Sequence, residues 1–174
     1  GVFIPDSNIP DKTEYNFEHC SDSDLSVLAK PNSFSLSDGK IIGEHNGAHY
    51  YTIGQRKGIK IGGFKEPLFV IQTDTTQNVI YLGESEIHKG LNRAGLFIKN
   101  EDIHWIREDL KLKDGEQRNY KARIRYRQRL EECCLYQKEN GIYVIFKNLQ
   151  KGITPGQFCA WYEEDELIGS GVIS

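Results

Sequence analysis

Methionine is absent from the 174 residues, proline occurs only five times, and no run of about 18 consecutive apolar residues exists. The lack of such a run excludes a membrane-spanning helix. The leading Gly1-Val2-Phe3-Ile4-Pro5 has no basic region followed by an apolar one, so no secretory signal is present there. These two absences predict a cytoplasmic protein without membrane partners. A chain with no methionine that opens on glycine predicts a fragment of a longer protein, with chemistry in the missing half. Excess charge of one sign is also lacking. The formal net charge is −3, so the molecule as a whole is no polycation. With 38% hydrophobic and 11% aromatic residues, the chain has enough apolar material for a core, which argues against wholesale disorder.

Cysteine is scarce and badly spaced for metal or redox work. Cys20, Cys133, Cys134 and Cys159 form no C-x-x-C pair, which removes support for a zinc ribbon or a thioredoxin-type site. They read as reduced, buried or half-buried thiols. Cys133 and Cys134, being adjacent, would face opposite sides of a strand. His45 and His49 have Asn46-Gly47 between them, which does not suit a helix presenting two metal ligands, and no third ligand stands at a recognisable spacing. No metal site is expected. No G-x-S-x-G elbow appears either.

What is present is mainly β. Pro67 to Thr73 and Asn78 to Leu82 are strand-like runs separated by the polar Asp74-Thr75-Thr76-Gln77. Cys133 to Lys138 and Ile142 to Phe146 flank Glu139-Asn140-Gly141, where Asn-Gly suits a tight turn of positive φ. Gln157 to Tyr162 and Leu167 to Ile173 flank an acidic turn. Short strands at this spacing predict a small barrel or sandwich. Helical signal is confined to Ser21–Lys30, with Leu25 and Leu28 on one side and Pro31 as the stop. Residues 1–24 hold six carboxylates against one lysine, so 1–30 reads as a loosely attached segment with a short helix. A boundary near 88–93 would then separate a Gly-rich central β domain, 31–92, from a C-terminal β-barrel, 93–174.

One segment stands out by charge. Of residues 118–129, six are basic and none acidic. Lys121, Arg123, Arg125, Arg127 and Arg129 share one parity, and Tyr120, Ala122, Ile124 and Tyr126 share the other. In a strand this gives a row of cations ~6–7 Å apart above an apolar face. Phosphates along a nucleic-acid strand repeat on that length scale, and the planar guanidinium fork suits phosphate oxygens. The bland alternative is a solvated face balanced by neighbouring carboxylates, or a charged edge strand that resists aggregation. A second basic cluster, Gly54-Gln55-Arg56-Lys57-Gly58 through Gly63, combines glycines with cations. Arg56 and Lys57 could contact phosphate, or the segment could be a structural corner. It is not a nucleotide P-loop.

At 43–63 the chain reads GEHNGAHYYTIGQRKGIKIGG, which resembles the G-E-H-x-G-x-x-Y-x-T-x-G-Q-R-x-G-x-x-x-G signature of tRNA-specific 2-thiouridylases. Further matches follow in the family's order. Glu66-Pro67 opens a strand pair, and Ile103-His104-Trp105 resembles L-H-W. Arg125-Tyr126-Arg127-Gln128 resembles R-Y-R-Q. Thr154-Pro155-Gly156-Gln157 resembles T-P-G-Q, and Leu167-Ile168-Gly169-Ser170-Gly171 resembles L-G-G-G. The matches run through roughly 31–174.

The resemblance implies a small central domain followed by an elongation-factor-like β-barrel, without the family's N-terminal ATP-pyrophosphatase-type domain. It implies ATP-dependent transfer of sulfur to C2 of the wobble uridine of tRNA, with ATP bound by the parent enzyme and no cofactor in this portion. A sulfur-carrier protein would be a partner of that parent. By the resemblance, tRNA contacts fall on Arg125, Tyr126 and Gln157, and the charge pattern adds Arg123 and Arg127. The family's second catalytic cysteine lies in a G-x-C-F-x-G motif that has no match here. Gly1-Val2-Phe3-Ile4 lacks the cysteine, and Cys20 stands in a different context as the weak remaining candidate. Two alternatives follow: a non-enzymatic barrel module that binds a protein partner, and a degenerate thiouridylase paralogue.

Overall fold

The structure, a computed structural model, describes residues 1–3 and 14–174, and for Val2 and Phe3 the backbone only. The described residues form two compact units, one of residues 1–3 and 31–92, the other of 14–30 and 93–174.

The first unit is built on a four-stranded sheet. In chain order its strands are β1 (Val2–Phe3), β2 (Lys40–Ile41), β3 (Leu68–Asp74) and β4 (Val79–Glu84), arranged β2-β1-β4-β3. β3 and β4 form the expected antiparallel hairpin, with a bulge between Val70 and Gln72. Both faces of that hairpin are covered, which is why its sequence is a continuous apolar run rather than an alternation. Phe69, Ile71 and Tyr81 pack with Phe34 and Leu91 on one side. Leu68, Val70, Ile80 and Leu82 pack with Ala48, Ile59, Ile61 and Phe64 on the other. The Gln72 amide ties in the preceding segment: its oxygen accepts from the Phe34 N–H at 2.9 Å, and its nitrogen donates to the Phe34 carbonyl at 3.0 Å.

The second unit contains α1 (Asp22–Ala29) and a curled seven-stranded sheet, a half-barrel. Its strands are β5 (Asn92–Lys99), β6 (Ile103–Trp105), β7 (Gln117–Arg123), β8 (Glu131–Lys138), β9 (Gly141–Lys151), β10 (Phe158–Glu163) and β11 (Glu166–Val172). Their order is β5-β9-β8-β7-β10-β11-β6. The main core lies on one face, around Leu96, Leu135, Val144, Phe146, Trp161 and Ile168, all fully buried. Cys133 belongs to that core. Cys134 faces the other side, beneath α1, as adjacent residues of one strand must.

The hairpin of β8 and β9 forms, but not through the expected turn. Lys138 pairs with Gly141, so the loop is Glu139-Asn140, and neither has positive φ. Gly141 is required for another reason. A Cβ there would collide with the carbonyl oxygen of Ile98 on the neighbouring β5, so the position admits only a residue without a side chain.

The expectation of a loosely attached segment over 1–30 fails for 14–30, and residues 4–13 lie outside the described residues. Ser21 caps α1 through a reciprocal box: its Oγ accepts from the Asp24 N–H at 3.2 Å, and the Asp24 carboxylate accepts from the Ser21 N–H at 2.9 Å. Leu25, Leu28 and Ala29 are buried, the two leucines against Ala94, Cys134, Tyr136 and Ile145. Two tyrosine hydroxyls fasten the approach to the helix. Tyr15 donates to the Phe146 carbonyl at 2.6 Å, and Tyr136 donates to the Phe17 carbonyl at 2.6 Å. The acidic composition of this stretch concealed a few well-spaced apolar anchors.

Candidate nucleic-acid interface

The row of five cations on one strand does not form. β7 ends at Arg123, and residues 124–128 make a turn. The turn is closed by Gln128, whose N–H donates to the Arg125 carbonyl at 3.1 Å while its side-chain oxygen accepts from the Ile124 N–H at 3.0 Å. The parity argument holds as far as Ile124, since Tyr120, Ala122 and Ile124 are buried. It fails at Tyr126, which the turn swings outward to 85% exposure. The same turn therefore replaces a linear cation track by a compact group: Arg123, Arg125, Tyr126 and Arg127.

Within this group each arginine has a different role. Arg125 donates to the Lys151 carbonyl at 2.9 Å and to the Gly152 carbonyl at 3.0 Å. It clamps the 124–128 turn onto the loop after β9. Thr154 donates to the same Gly152 carbonyl at 2.9 Å, and the Gln157 N–H donates to the Thr154 carbonyl at 3.3 Å. Arg125 thus joins the turn bearing Tyr126 to the loop bearing Gln157, 31 positions further along the sequence. Arg123 donates to the Tyr126 carbonyl at 3.0 Å and to the Tyr162 hydroxyl at 2.9 Å. Arg127 and Arg129 are exposed and make no hydrogen bond or ion pair among the described residues. No arginine from 123 to 129 is bonded to a carboxylate there. On β8, Glu131 and Glu132 lie across from Ala122 and Lys121, and Glu132 pairs with Lys147 at 2.9 Å.

Gln157 sits where its loop enters β10. Gly156 before it has φ +88°, and the Gln157 carbonyl accepts from the Ile173 N–H at 2.8 Å. The side-chain oxygen is buried and accepts no hydrogen bond among the described residues, so it does not cap its own loop. Arg56 and Lys57 lie in the first unit, exposed on turns. Gly54 and Gly58 there both adopt φ +87°, and the Gln55 amide bonds the Thr52 N–H and the Lys57 carbonyl. The turn is docked on β3, with Gly54 N–H to Val70 carbonyl at 2.8 Å and Val70 N–H to Gln55 carbonyl at 3.0 Å. That docking explains the glycines and leaves the two cations pointing at solvent.

The thiols are in packing environments. Cys20 donates to the Asn16 carbonyl at 3.2 Å, and burial pushes its pKa up. Burial likewise raises Cys134 to about 11 and Cys159 to about 12. Such shifts oppose thiolate formation, whereas a nucleophilic cysteine needs a lowered pKa. No group of histidine, cysteine and carboxylate residues suited to a metal occurs among the described residues. Sequence reasoning missed Tyr162 altogether. Its signal was the period-two pattern of 157–162, which places it across from Lys121 on β7, beside Arg123.

Fold and site together define two β-rich units, the second carrying an arginine-rich turn with an exposed tyrosine and no carboxylate partner among the described residues. Family models agree with the division. Residues 29–84 match the tRNA methyl transferase PRC-barrel domain, and residues 97–173 match the aminomethyltransferase beta-barrel domain. Whole-chain relatives narrow this further. The chain is 53% identical over 161 residues to the tRNA-specific 2-thiouridylase MnmA of Christiangramia forsetii, covering 92% of this chain and 40% of that protein. It is 52% identical over 153 residues to the MnmA of Flavobacterium johnsoniae, covering 88% and 39%. It is 35% identical over 152 residues to that of Legionella pneumophila, covering 84% and 41%. The chain belongs to the tRNA-specific 2-thiouridylase family and corresponds to its central and C-terminal portion. It spans about two fifths of the length of these curated relatives.

Proposed function

We propose that this chain is the tRNA-docking portion of an enzyme that replaces O2 of a tRNA wobble uridine by sulfur, with ATP and a sulfur-carrier protein engaged by the rest of that enzyme in the cytoplasm. The observation that carries the proposal is the turn at 124–128. Its arginines and the adjoining Arg123 are spent on backbone carbonyls and a tyrosine or left free, and none is neutralised by a carboxylate among the described residues. A barrel evolved to meet an acidic protein would not need the exposed Tyr126 in the same turn as those charges. A folded RNA uses both. Phosphates take the free cations, and an unpaired base takes the aromatic face. The raised thiol pKa values support placing the sulfur chemistry elsewhere in the enzyme.

The test is tRNA binding by the 174-residue chain across a salt series. The expected result is binding that weakens steeply as salt rises, by about 0.7 to 0.9 of a log unit per tenfold salt for each phosphate contacted. Affinity that does not change with salt, or no binding at low salt, would refute the proposal.

A further inference from the structure

Arg123, the last residue of β7, has both terminal nitrogens engaged within the chain and is poorly placed to serve a phosphate. One terminal nitrogen donates to the Tyr126 carbonyl at 3.0 Å and the other to the Tyr162 hydroxyl at 2.9 Å. Its guanidinium carbon lies 5.2 Å from the centroid of the Tyr126 ring and 5.1 Å from that of the Tyr162 ring, both within cation–π range. Tyr162 is fixed by the pairing of β10 with β7. Tyr126, by contrast, has 85% of its surface in solvent and would be a loose side chain without this contact. Rigidity therefore passes from a paired strand, through Tyr162 and Arg123, to an exposed ring. A ring already held in place binds a flat partner without the ordering cost that a free side chain incurs. The hydrogen bond to the Tyr126 carbonyl fixes the backbone of the turn, and the ring contact restrains the side chain.

We propose that Arg123 and Tyr162 are positioning residues that hold the Tyr126 ring as a preformed stacking surface for one unpaired base of the RNA. This rests on the tRNA-docking reading above and adds two residues and a ligand group to it. Base–aromatic stacking in comparable sites corresponds to roughly a five- to hundredfold effect on affinity.

The experiment uses the full chain, a hairpin RNA with an unpaired loop, and a blunt duplex of equal phosphate number. Tyr126→Ala should lose about tenfold affinity for the hairpin and little for the duplex. Arg123→Lys keeps the charge but loses the planar, two-headed contact. It should show the same selective loss with an unchanged salt slope, and the double variant should be no worse than either single one. Tyr162→Leu, made at the other end of the contact, should repeat the pattern. Tyr126→Phe, which keeps the ring, should bind the hairpin like the unmodified chain. If Arg123→Lys binds normally, or if Arg123→Ala lowers the salt slope by about one for hairpin and duplex alike, Arg123 is a phosphate contact or a bystander and the inference fails.

A second readout needs no RNA. The Arg123 Nε–H resonance should be displaced by ring currents and move on Tyr126→Ala. An Arg123 signal at its random-coil position overturns the positioning role even where RNA binds. A displaced signal with no RNA binding upholds the tyrosine–arginine contact and overturns the docking function instead.

Discussion

Replacing Arg125 by lysine separates geometry from charge in one step. The guanidinium reaches two carbonyls at once, Lys151 at 2.9 Å and Gly152 at 3.0 Å, from a turn that is otherwise held by Gln128 and by the Arg123 bond to the Tyr126 carbonyl. A lysine ammonium is a point donor on a flexible stem and cannot span both acceptors in the fixed geometry of the fork. Each solvent-accessible hydrogen bond is worth about 1 kcal/mol net, and one of the two should be lost. For a domain of about 100 residues, 1 kcal/mol lowers the melting temperature by roughly 4–8 °C. The consequence for RNA is larger than the charge count suggests. The 124–128 turn and the 152–157 loop would be joined by one bond instead of two, so Tyr126 and Gln157 would be held less firmly in register before binding. Arg125→Lys is therefore expected to melt a few degrees lower and to bind tRNA several-fold more weakly at every salt concentration, with its salt slope preserved. Arg127→Ala is the matched control. That side chain is exposed and makes no hydrogen bond or ion pair among the described residues, so the melting temperature should stay constant while the slope falls by about one. Scanning calorimetry and fluorescence anisotropy give both quantities. If Arg125→Lys equals the unmodified chain in both, the clamp has no part in organising the surface.

Other consequences follow from the same packing. Tyr136→Phe removes the hydroxyl that donates to Phe17 and accepts from the Cys20 N–H, and should cost about 1–2 kcal/mol while raising hydrogen exchange across 15–20 more than elsewhere; uniform exchange would contradict the anchoring role. Gly169→Ala places a methyl 2.7 Å from the Trp161 ring and should destabilise by about 1–3 kcal/mol in denaturant melts without altering the salt slope for tRNA. Alkaline stability should depend on Cys159, whose folded pKa is raised to about 12 against about 8.5 for a free thiol. A group that holds its proton longer when folded leaves stability intact below the unfolded pKa and removes it as pH rises toward the folded one. Stability should thus decline above pH 8.5, and Cys159→Ala should decline less steeply between pH 9 and 11; parallel curves would refute this.

Much of the fold was legible because local signals and burial agreed. The hairpins of β3/β4, β8/β9 and β10/β11 were marked by period-two or continuous apolar runs separated by polar turns, and all three form. The reason for Gly141 was not legible. Asn-Gly suggested a turn of positive φ, but the constraint is the carbonyl of Ile98, a residue over 40 positions away. The docking of 14–30 was hidden for a similar reason. Tyr15 and Phe17 find their partners on β8 and β9, more than 110 residues on.

For the site, alternation along 118–124 correctly divided core from surface, and the family motifs directed attention to Arg125, Tyr126 and Gln157. Alternation could not show where the strand would stop. Once Gln128 closes a turn back onto Ile124, the side chains beyond Ile124 leave the two-residue period. An uninterrupted row of like charges is also the arrangement electrostatics disfavours most, and the turn relieves it by sending Arg123 and Arg125 to acceptors on different strands and loops. Their roles depend on Tyr162, whose signal was only the period-two pattern of its strand, and on the carbonyls of Lys151 and Gly152, which carry no sequence signal.

The most direct measurement is site-specific photo-crosslinking of the full chain to tRNA, with a photoreactive phenylalanine analogue at position 126 and, as the control, at the exposed position 27 of α1. The account predicts a crosslink from 126 to an unpaired nucleotide of the tRNA, suppressed by high salt, and none from 27. A crosslink from 27 with none from 126 would place the RNA on a different surface and contradict it.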